Sequence, residues 1–419
     1  MSAERFTGVA GFLARYHGLR ERLPGDRAAR DAAAVSFQAL GFPGRREEAW
    51  KYTNLRPLAE AAFHEPLSTI EDNAYLDGIP RIAESRLVFI DGRYRPDLSD
   101  AAPAGLVQSF ADAPAFGALA RPDRDTMAAL NTMLAEDGAR ITVPDGVDAG
   151  VIQIALISAQ ATLPGASHPR HTVRLGRTAR LTLIETANGE GAYLHNPVTE
   201  IEVGEGAMLE HVRLQDESPA AFHLATVYAD VAAGGTYDCF TMNVGARLAR
   251  IELHARLSGE GGTVHLNGAQ LLRGQQHADF TSVVRHDAPG CASRQTVKNV
   301  LAGRSRGVFQ GRIEVARIAQ KTDGYQMSQA LLLSPDAEID TKPELEIFAD
   351  DVKCSHGATV GELDADQMFY LRSRGVPQHE ARAILVRAFL TEAVEAVRNE
   401  AARSALDQTV EAWWRREAI

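Results

Sequence analysis

The sequence predicts a mostly β chain in which a central all-β block is flanked by helical segments at both ends. Three observations carry this. Short segments of alternating apolar and polar residues recur from Arg140 to Val360, separated by turn-type glycines. Outside that block, apolar residues recur at the three-to-four spacing of helices. Aromatic residues make up only 6% while glycine reaches 35 residues, which suits many tight turns and small stacked side chains better than a large aromatic core. The expected division is 1–139, mainly helical with a short strand region; 140–362, the β block; and 363–419, a helical end.

In the N-terminal part, Phe6, Val9, Leu13 and Tyr16 share one helical face with Phe12 beside them, and a second helix is expected from Asp31 to Leu40. Gly41-Phe-Pro-Gly44 breaks that pattern. Trp50 and Tyr52 follow in a charged segment and read as packing anchors, since large aromatics mostly serve packing. Leu87-Val-Phe-Ile90 before Asp91-Gly92 predicts a short strand entering a turn.

Within the β block the strand segments include Val151–Ile154, Leu181–Ile184, Ile201–Val203 and Ile251–Leu253. Gly176, Gly206, Gly235 and Gly262 are separated by 30, 29 and 27 residues, a spacing within the range of solenoid and blade repeats. No repeat consensus accompanies it, so periodicity alone leaves solenoid, sandwich and barrel open. Beyond it, Asp364 with Gln367 marks a helix start and Gly375 its stop. Pro377 opens a second helix, whose apolar face is expected at Ala381, Leu385, Phe389, Ala393 and Val397 with Ile384 and Ala388 beside them. A third helix is expected to reach Trp413-Trp414.

The net charge of −11, with basic runs no longer than pairs such as Arg45-Arg46 and Arg415-Arg416, argues against a nucleic-acid partner. No apolar run of about 18 residues occurs, and the first six residues are not of signal-peptide type, so a cytoplasmic chain without membrane association is expected. Cys239, Cys291 and Cys354 are odd in number and form no CxxC pair, which argues against a disulfide framework. No phosphate loop, GxGxxG after a strand, HExxH, GxSxG or calcium loop is present. His168-Pro-Arg-His171 reads as an incidental loop pair, because two ligands do not make a metal site.

The segment that carries chemistry is Lys353-Cys-Ser-His-Gly357. If the preceding acidic–apolar alternation continues as a strand, Cys354 and His356 project from the same face. A thiol and an imidazole side by side suit a borderline or soft metal such as iron or zinc. A strand Cys is ordinarily a small buried hydrophobe and a nearby His a satisfied polar group, so the residues alone leave both readings open. A nucleophile–base pair is a further reading, but no orienting third group or oxyanion hole is visible. Cys239 and Cys291 read as structural.

Several long segments, in order, resemble the SufB/SufD family of iron–sulfur cluster assembly proteins. They are Lys298–Arg312, Gln320–Met327, Ala337–Glu346, Lys353–Gly361 and Phe369–Gly375, with weaker anchors at Glu48–Thr53 and Phe89–Gly92. Ser328 and Phe348 depart from the family's pattern, neither at a chemical position. The length and Lys321-Thr-Asp-Gly-Tyr-Gln326 are similar to the SufD branch, and the extra cysteine-bearing segments expected of SufB are lacking.

The resemblance implies a right-handed parallel β-helix and a non-catalytic scaffold in complex with SufB and the ATPase SufC, with ATP used only through SufC. It further implies that His356 and Cys354 serve a transient iron–sulfur cluster or iron at the SufB junction. The C-terminal helices, around Arg372, Arg374 and Glu380, are the expected SufC dock, and a homodimer is compatible with the chain in isolation. Two rivals are a carbohydrate-active β-helix enzyme, disfavoured by the few aromatics, and a purely structural SufB partner with the Cys–His pair merely buried.

Overall fold

The computed structural model describes residues 7–64, 79–101, 103, 105–159 and 164–417, so Phe6 and the rest of the first six residues lie outside it. The centre is a β-solenoid of about eight turns, with helices at both ends of the chain. Each turn places one strand in a ten-stranded sheet and one in an eleven-stranded sheet. Successive turns stack in parallel: His277–His286 lies on Leu248–Leu257, and Arg306–Val315 on His277–His286, without a register slip. The four predicted strand segments fall within Asp148–Ser158, Arg180–Gly189, Val198–Val203 and Leu248–Leu257.

The interior is a column of small and branched side chains, among them Ile152, Leu183, Val203, Leu209, Val227, Ile251 and Leu266. Stacking puts each of these on its counterpart one turn away, which explains why few aromatics are needed. Burial of a branched side chain contributes about 1.5–3 kcal/mol, so the column supplies much of the driving force. The strands are apolar on their outer faces too. Val212, Leu214, Phe240, Met242 and Leu271 pack outward against Val386, Leu390, Leu406 and Trp413 of the C-terminal helices.

The N-terminal helices Gly8–Leu19 and Arg27–Leu40 cover the other sheet, packing Phe12 and Phe37 in one cluster with Phe222, Leu224 and Leu248. The second begins before the expected Asp31 because Asp26 caps it, accepting from the Ala28 amide. A further helix, Thr126–Leu134, is buried along its whole length and has no polar face to announce it in the sequence. Arg30 closes its C-terminus by donating to the carbonyls of Thr132, Met133 and Ala135.

A buried ion pair docks the N-terminal part onto the solenoid. Arg250, 1% exposed, pairs with Asp279 and with Glu252, and its guanidinium lies 4.0 Å from the Trp50 ring centre. Thr53 donates its hydroxyl to the same Asp279. Trp50 is therefore an anchor, as its sequence context suggested, and its partner is a cation.

The two ends of the solenoid differ. At the N-terminal end, Ser85–Ile90 turns through Asp91 and Gly92, both at positive φ, into the two-residue antiparallel strand Arg93–Tyr94. A Cβ on Gly92 would stand 2.9 Å from that of Ser167, so glycine is required there sterically as well. The other sheet ends on the three-residue antiparallel strand Val107–Ser109. At the C-terminal end, the last strands are Glu338–Ile347 and Val352–Gly361, each ten residues long. Each pairs on one side only among the described residues.

Helix Ala365–Ser373 follows, capped by Asp364 accepting from the Gln367 amide at 2.8 Å and stopped at Gly375 with φ of 88°. In the next helix, Gln378–Val394, the buried residues are Ala381, Val386, Leu390, Ala393 and Val394. The expected face holds at Ala381, Ala393 and Val397 and is corrected on its flank, where Ile384 and Ala388 are exposed and Leu385 only half-buried. The helix sits on a flat sheet rather than in a bundle, so one narrow stripe touches it and the neighbouring apolar positions face outward. Leu390→Ala is expected to cost about 2–4 kcal/mol, read as a lower denaturant midpoint. A loss below about 1 kcal/mol would contradict this packing. The last helix, Glu400–Glu417, buries Trp413.

Candidate functional site

The Cys–His segment lies on the last strand of the ten-stranded sheet. In the register with Thr322–Leu332, Cys354 stands beside Gly324 and His356 beside Gln326. Thr322, Gly324, Gln326 and Ser328 are the buried, interior-facing positions of that neighbour, so Val352, Cys354, His356 and Ala358 face the interior from the final turn. The sequence expectation that Cys354 and His356 share a face is met. No further turn covers them among the described residues.

Burial depends on what lies below. Cys354 is half-buried, packed with Val352 and Leu345 against Ile313 and Val315, while His356 is exposed. Burial pushes the Cys354 thiol above its ordinary pKa, which favours the protonated form at rest. Gly324 gives the sulfur its room, since a Cβ there would come within 3.3 Å of it. Around the pair the end turn exposes Ile347, Phe348 and Val360. Exposed apolar groups beside unpaired strand edges are what a partner surface requires.

Arg372, Arg374 and Glu380 are all exposed on the C-terminal helices. Arg372 bonds Gln378 at 3.2 Å, Arg374 lies over the Tyr370 ring, and Glu380 is 3.8 Å from His379. Helix Ala365–Ser373 buries no residue, and Phe369, Tyr370 and Ile384 are 74%, 57% and 47% exposed. A helix that keeps its aromatics in solvent has an unfilled face.

The other sequence candidates resolve into structural roles. His168 bonds Asn196 at 3.0 Å, and His171 accepts from the Ala139 amide at 2.9 Å, so the two imidazoles serve separate partners. Cys291 donates toward the Gly259 carbonyl at 3.3 Å. Cys239 is buried beside a polar cluster that sequence reasoning missed: Glu185, 2.8 Å from Arg213 and 3.2 Å from His211, with Tyr237 bonded to His211 at 3.1 Å. A second missed cluster is His195, Glu217 and His223, all buried. His195 and His223 are 28 residues apart, one solenoid turn, so no local motif brings the three together.

No described helix is long and apolar enough to cross a membrane. Residues 156–389 match the family profile described as SUF system FeS cluster assembly, SufBD core domain, and residues 24–154 match the SufBD protein N-terminal region. The chain is 34% identical over 366 residues to the iron-sulfur cluster assembly protein SufD of Escherichia coli, covering 86% of each. It is 31% identical over 392 residues to an iron-sulfur cluster assembly SufBD family protein of Synechocystis sp., covering 88% of this chain and 86% of that one. It is also 31% identical over 398 residues to Protein ABCI7, chloroplastic, of Arabidopsis thaliana, covering 89% and 83% respectively.

Proposed function

The chain belongs to the SufBD family of iron–sulfur cluster assembly proteins, and on that premise we propose that it is a scaffold that shapes a cluster-building interface and turns over no substrate itself. The observation that carries this reading is the open end of the solenoid. Two ten-residue strands there lack an outer neighbour among the described residues, and the interior-facing Cys354 and His356 lie among exposed apolar groups. Strand edges of that length satisfy their donors and acceptors when a second chain adds its own turn.

In this reading SufB docks on Glu338–Ile347 and Val352–Gly361, burying Phe348 and Val360 and enclosing the Cys–His pair. The cluster or iron is cargo held at the junction. His356 contributes an imidazole to iron, and Cys354 a thiolate to metal or sulfur, the remaining ligands coming from SufB. The SufC ATPase takes the face formed by Phe369, Tyr370, Ile384, Arg372, Arg374 and Glu380. Helix Gln378–Val394 joins that face to the ten-stranded sheet through Val386 and Leu390, giving nucleotide-driven movement a rigid route to the solenoid. The division into 1–139, 140–362 and 363–419 and a cytoplasmic location belong to the same reading, as does a homodimer in isolation.

The test is co-expression with SufB and SufC from the same source, followed by mass and iron analysis of the purified complex. A stoichiometric assembly is expected. His356→Ala is expected to leave assembly intact and to lower bound iron and cluster formation at least tenfold, about 1.4 kcal/mol or more in binding. Full cluster assembly by an intact His356→Ala complex would leave only the purely structural partner. A chain that ignored both partners would reopen the enzyme reading and call for a polysaccharide screen.

A further inference from the structure

We propose that His195, Glu217 and His223 form a divalent transition-metal site inside the solenoid, suited to zinc or ferrous iron and separate from the open end. His195 closes the short strand Tyr193–His195, and His223 lies beside it in parallel register on Phe222–Val231. The two histidines thus occupy the same position on successive turns. Glu217 ends Met208–Glu217, the second of the two strands between them in sequence, and brings its carboxylate to the same corner.

The donor geometry is close to that of an occupied site. His195 Nδ1 is 3.2 Å from Glu217 Oε1, and His223 Nδ1 is 2.6 Å from Glu217 Oε2. One ligand atom from each residue lies within 4.8 Å of the others, and the imidazoles cross at 80°. Donors around a tetrahedral ion with bonds of about 2.0–2.2 Å stand roughly 3.3–3.6 Å apart, so the set needs to open by only a fraction of an ångström at its tightest point. Two imidazoles and one carboxylate favour zinc or ferrous iron over magnesium or calcium, and the absence of a thiolate among the three disfavours a cluster.

Hydrogen bonding alone accounts poorly for this corner. All three side chains are at most 4% exposed. His223 Nδ1 approaches the Glu217 carboxylate at 2.6 Å, while its Nε2 has no hydrogen-bond partner among the described residues. The Tyr193 hydroxyl is buried beside the same carboxylate. A buried polar atom left unsatisfied is destabilising. A cation would engage His223 Nδ1 and leave an outer position for the phenol or a water.

The carboxylate is also held as metal-binding carboxylates are. Gln215 Nε2 donates to Glu217 Oε2 at 3.0 Å, and Gln215 Oε1 is itself fixed by the Gly245 amide at 3.1 Å. An ion here would tie strands of two adjacent turns together and stabilise the folded chain over the unfolded one. The site shares no residue with the Cys354–His356 pair and stands whether or not the scaffold reading holds.

The test uses the full chain, stripped with a chelator, loaded separately with zinc and with cobalt, desalted and assayed for metal. About one ion per chain is expected in the wild type and in the Cys354→Ser/His356→Ala double variant, and none in Glu217→Gln or His223→Gln. Zinc should raise the unfolding temperature of the first two and not of the last two. The cobalt-loaded Cys354→Ser/His356→Ala double variant should show ligand-field bands without a thiolate charge-transfer band. Wild type that retains no metal, metal that persists in folded Glu217→Gln, or a thiolate band in the double variant would each overturn the site.

Discussion

Acidification from pH 6.5 to 4.5 is expected to remove most of the folding stability, at roughly 3 to 4 kcal/mol per pH unit. Burial pushes His168 down to about 3, and His171 and His286 down to about 4. In the unfolded chain each returns to about 6.5, so the unfolded state takes up protons that the native state refuses. Their contribution is present in full above 6.5 and is lost as pH falls toward the native values. Each histidine accounts for a little over 1 kcal/mol per pH unit across that window.

Other groups lose their contributions elsewhere. Burial opposes the charge on His211 and His254, but Glu185 and Glu252 beside them override it, lifting His211 to about 9 and raising His254 as well. Those contributions are complete below 6.5 and disappear on the alkaline side. Denaturant unfolding at half-unit pH steps measures the slope. His171→Gln, which cannot titrate, should flatten it by about a third. A slope below about 1 kcal/mol per unit would mean that these imidazoles are reached by water.

Arg250→Ala is expected to cost about 3–5 kcal/mol. The substitution leaves the fully buried Asp279 side chain with only the hydroxyls of Thr53 and Thr281 as partners, and removes the cation from the face of Trp50. Burying an uncompensated charge is more damaging than losing the pair altogether, so Arg250→Ala/Asp279→Ala should recover part of the loss. The readout is the denaturant midpoint, together with protease sensitivity of residues 7–64, whose anchor is cut. A single variant within about 1 kcal/mol of wild type would show that the Arg250–Asp279 pair does not anchor the N-terminal part.

Much of this architecture was legible in the amino-acid order, for reasons that differ by element. The N-terminal helix showed itself through Val9, Phe12, Leu13 and Tyr16, because only one of its faces meets protein. The strands showed by alternation and by glycines at the corners, and the separations of Gly176, Gly206, Gly235 and Gly262 approximate the length of a turn. The solenoid itself did not follow from periodicity. Strands such as Met208–Glu217 are buried inside by the column and outside by the helices, which erases the contrast between faces.

The candidate sites divide in the same way. Cys354 and His356 were readable because two residues apart on a strand means the same face, a local rule. His195 and His223 were not, because their proximity is set by the length of a turn and is visible only once the register is known. The flank of Gln378–Val394 at Ile384 and Ala388 was misplaced because the sequence does not say whether a helix meets a bundle or a flat sheet.

The unlike ends of the solenoid limit what the chain can build. Its N-terminal edges are two and three residues long and run antiparallel to their neighbours, so they offer little to add on to. Its C-terminal edges are long, parallel and uncovered among the described residues. A stack with two such open ends could elongate indefinitely, each copy seating on the last and leaving a fresh edge behind. With one end blocked, the first union consumes the sole growing point, and the product is a closed pair rather than a fibre.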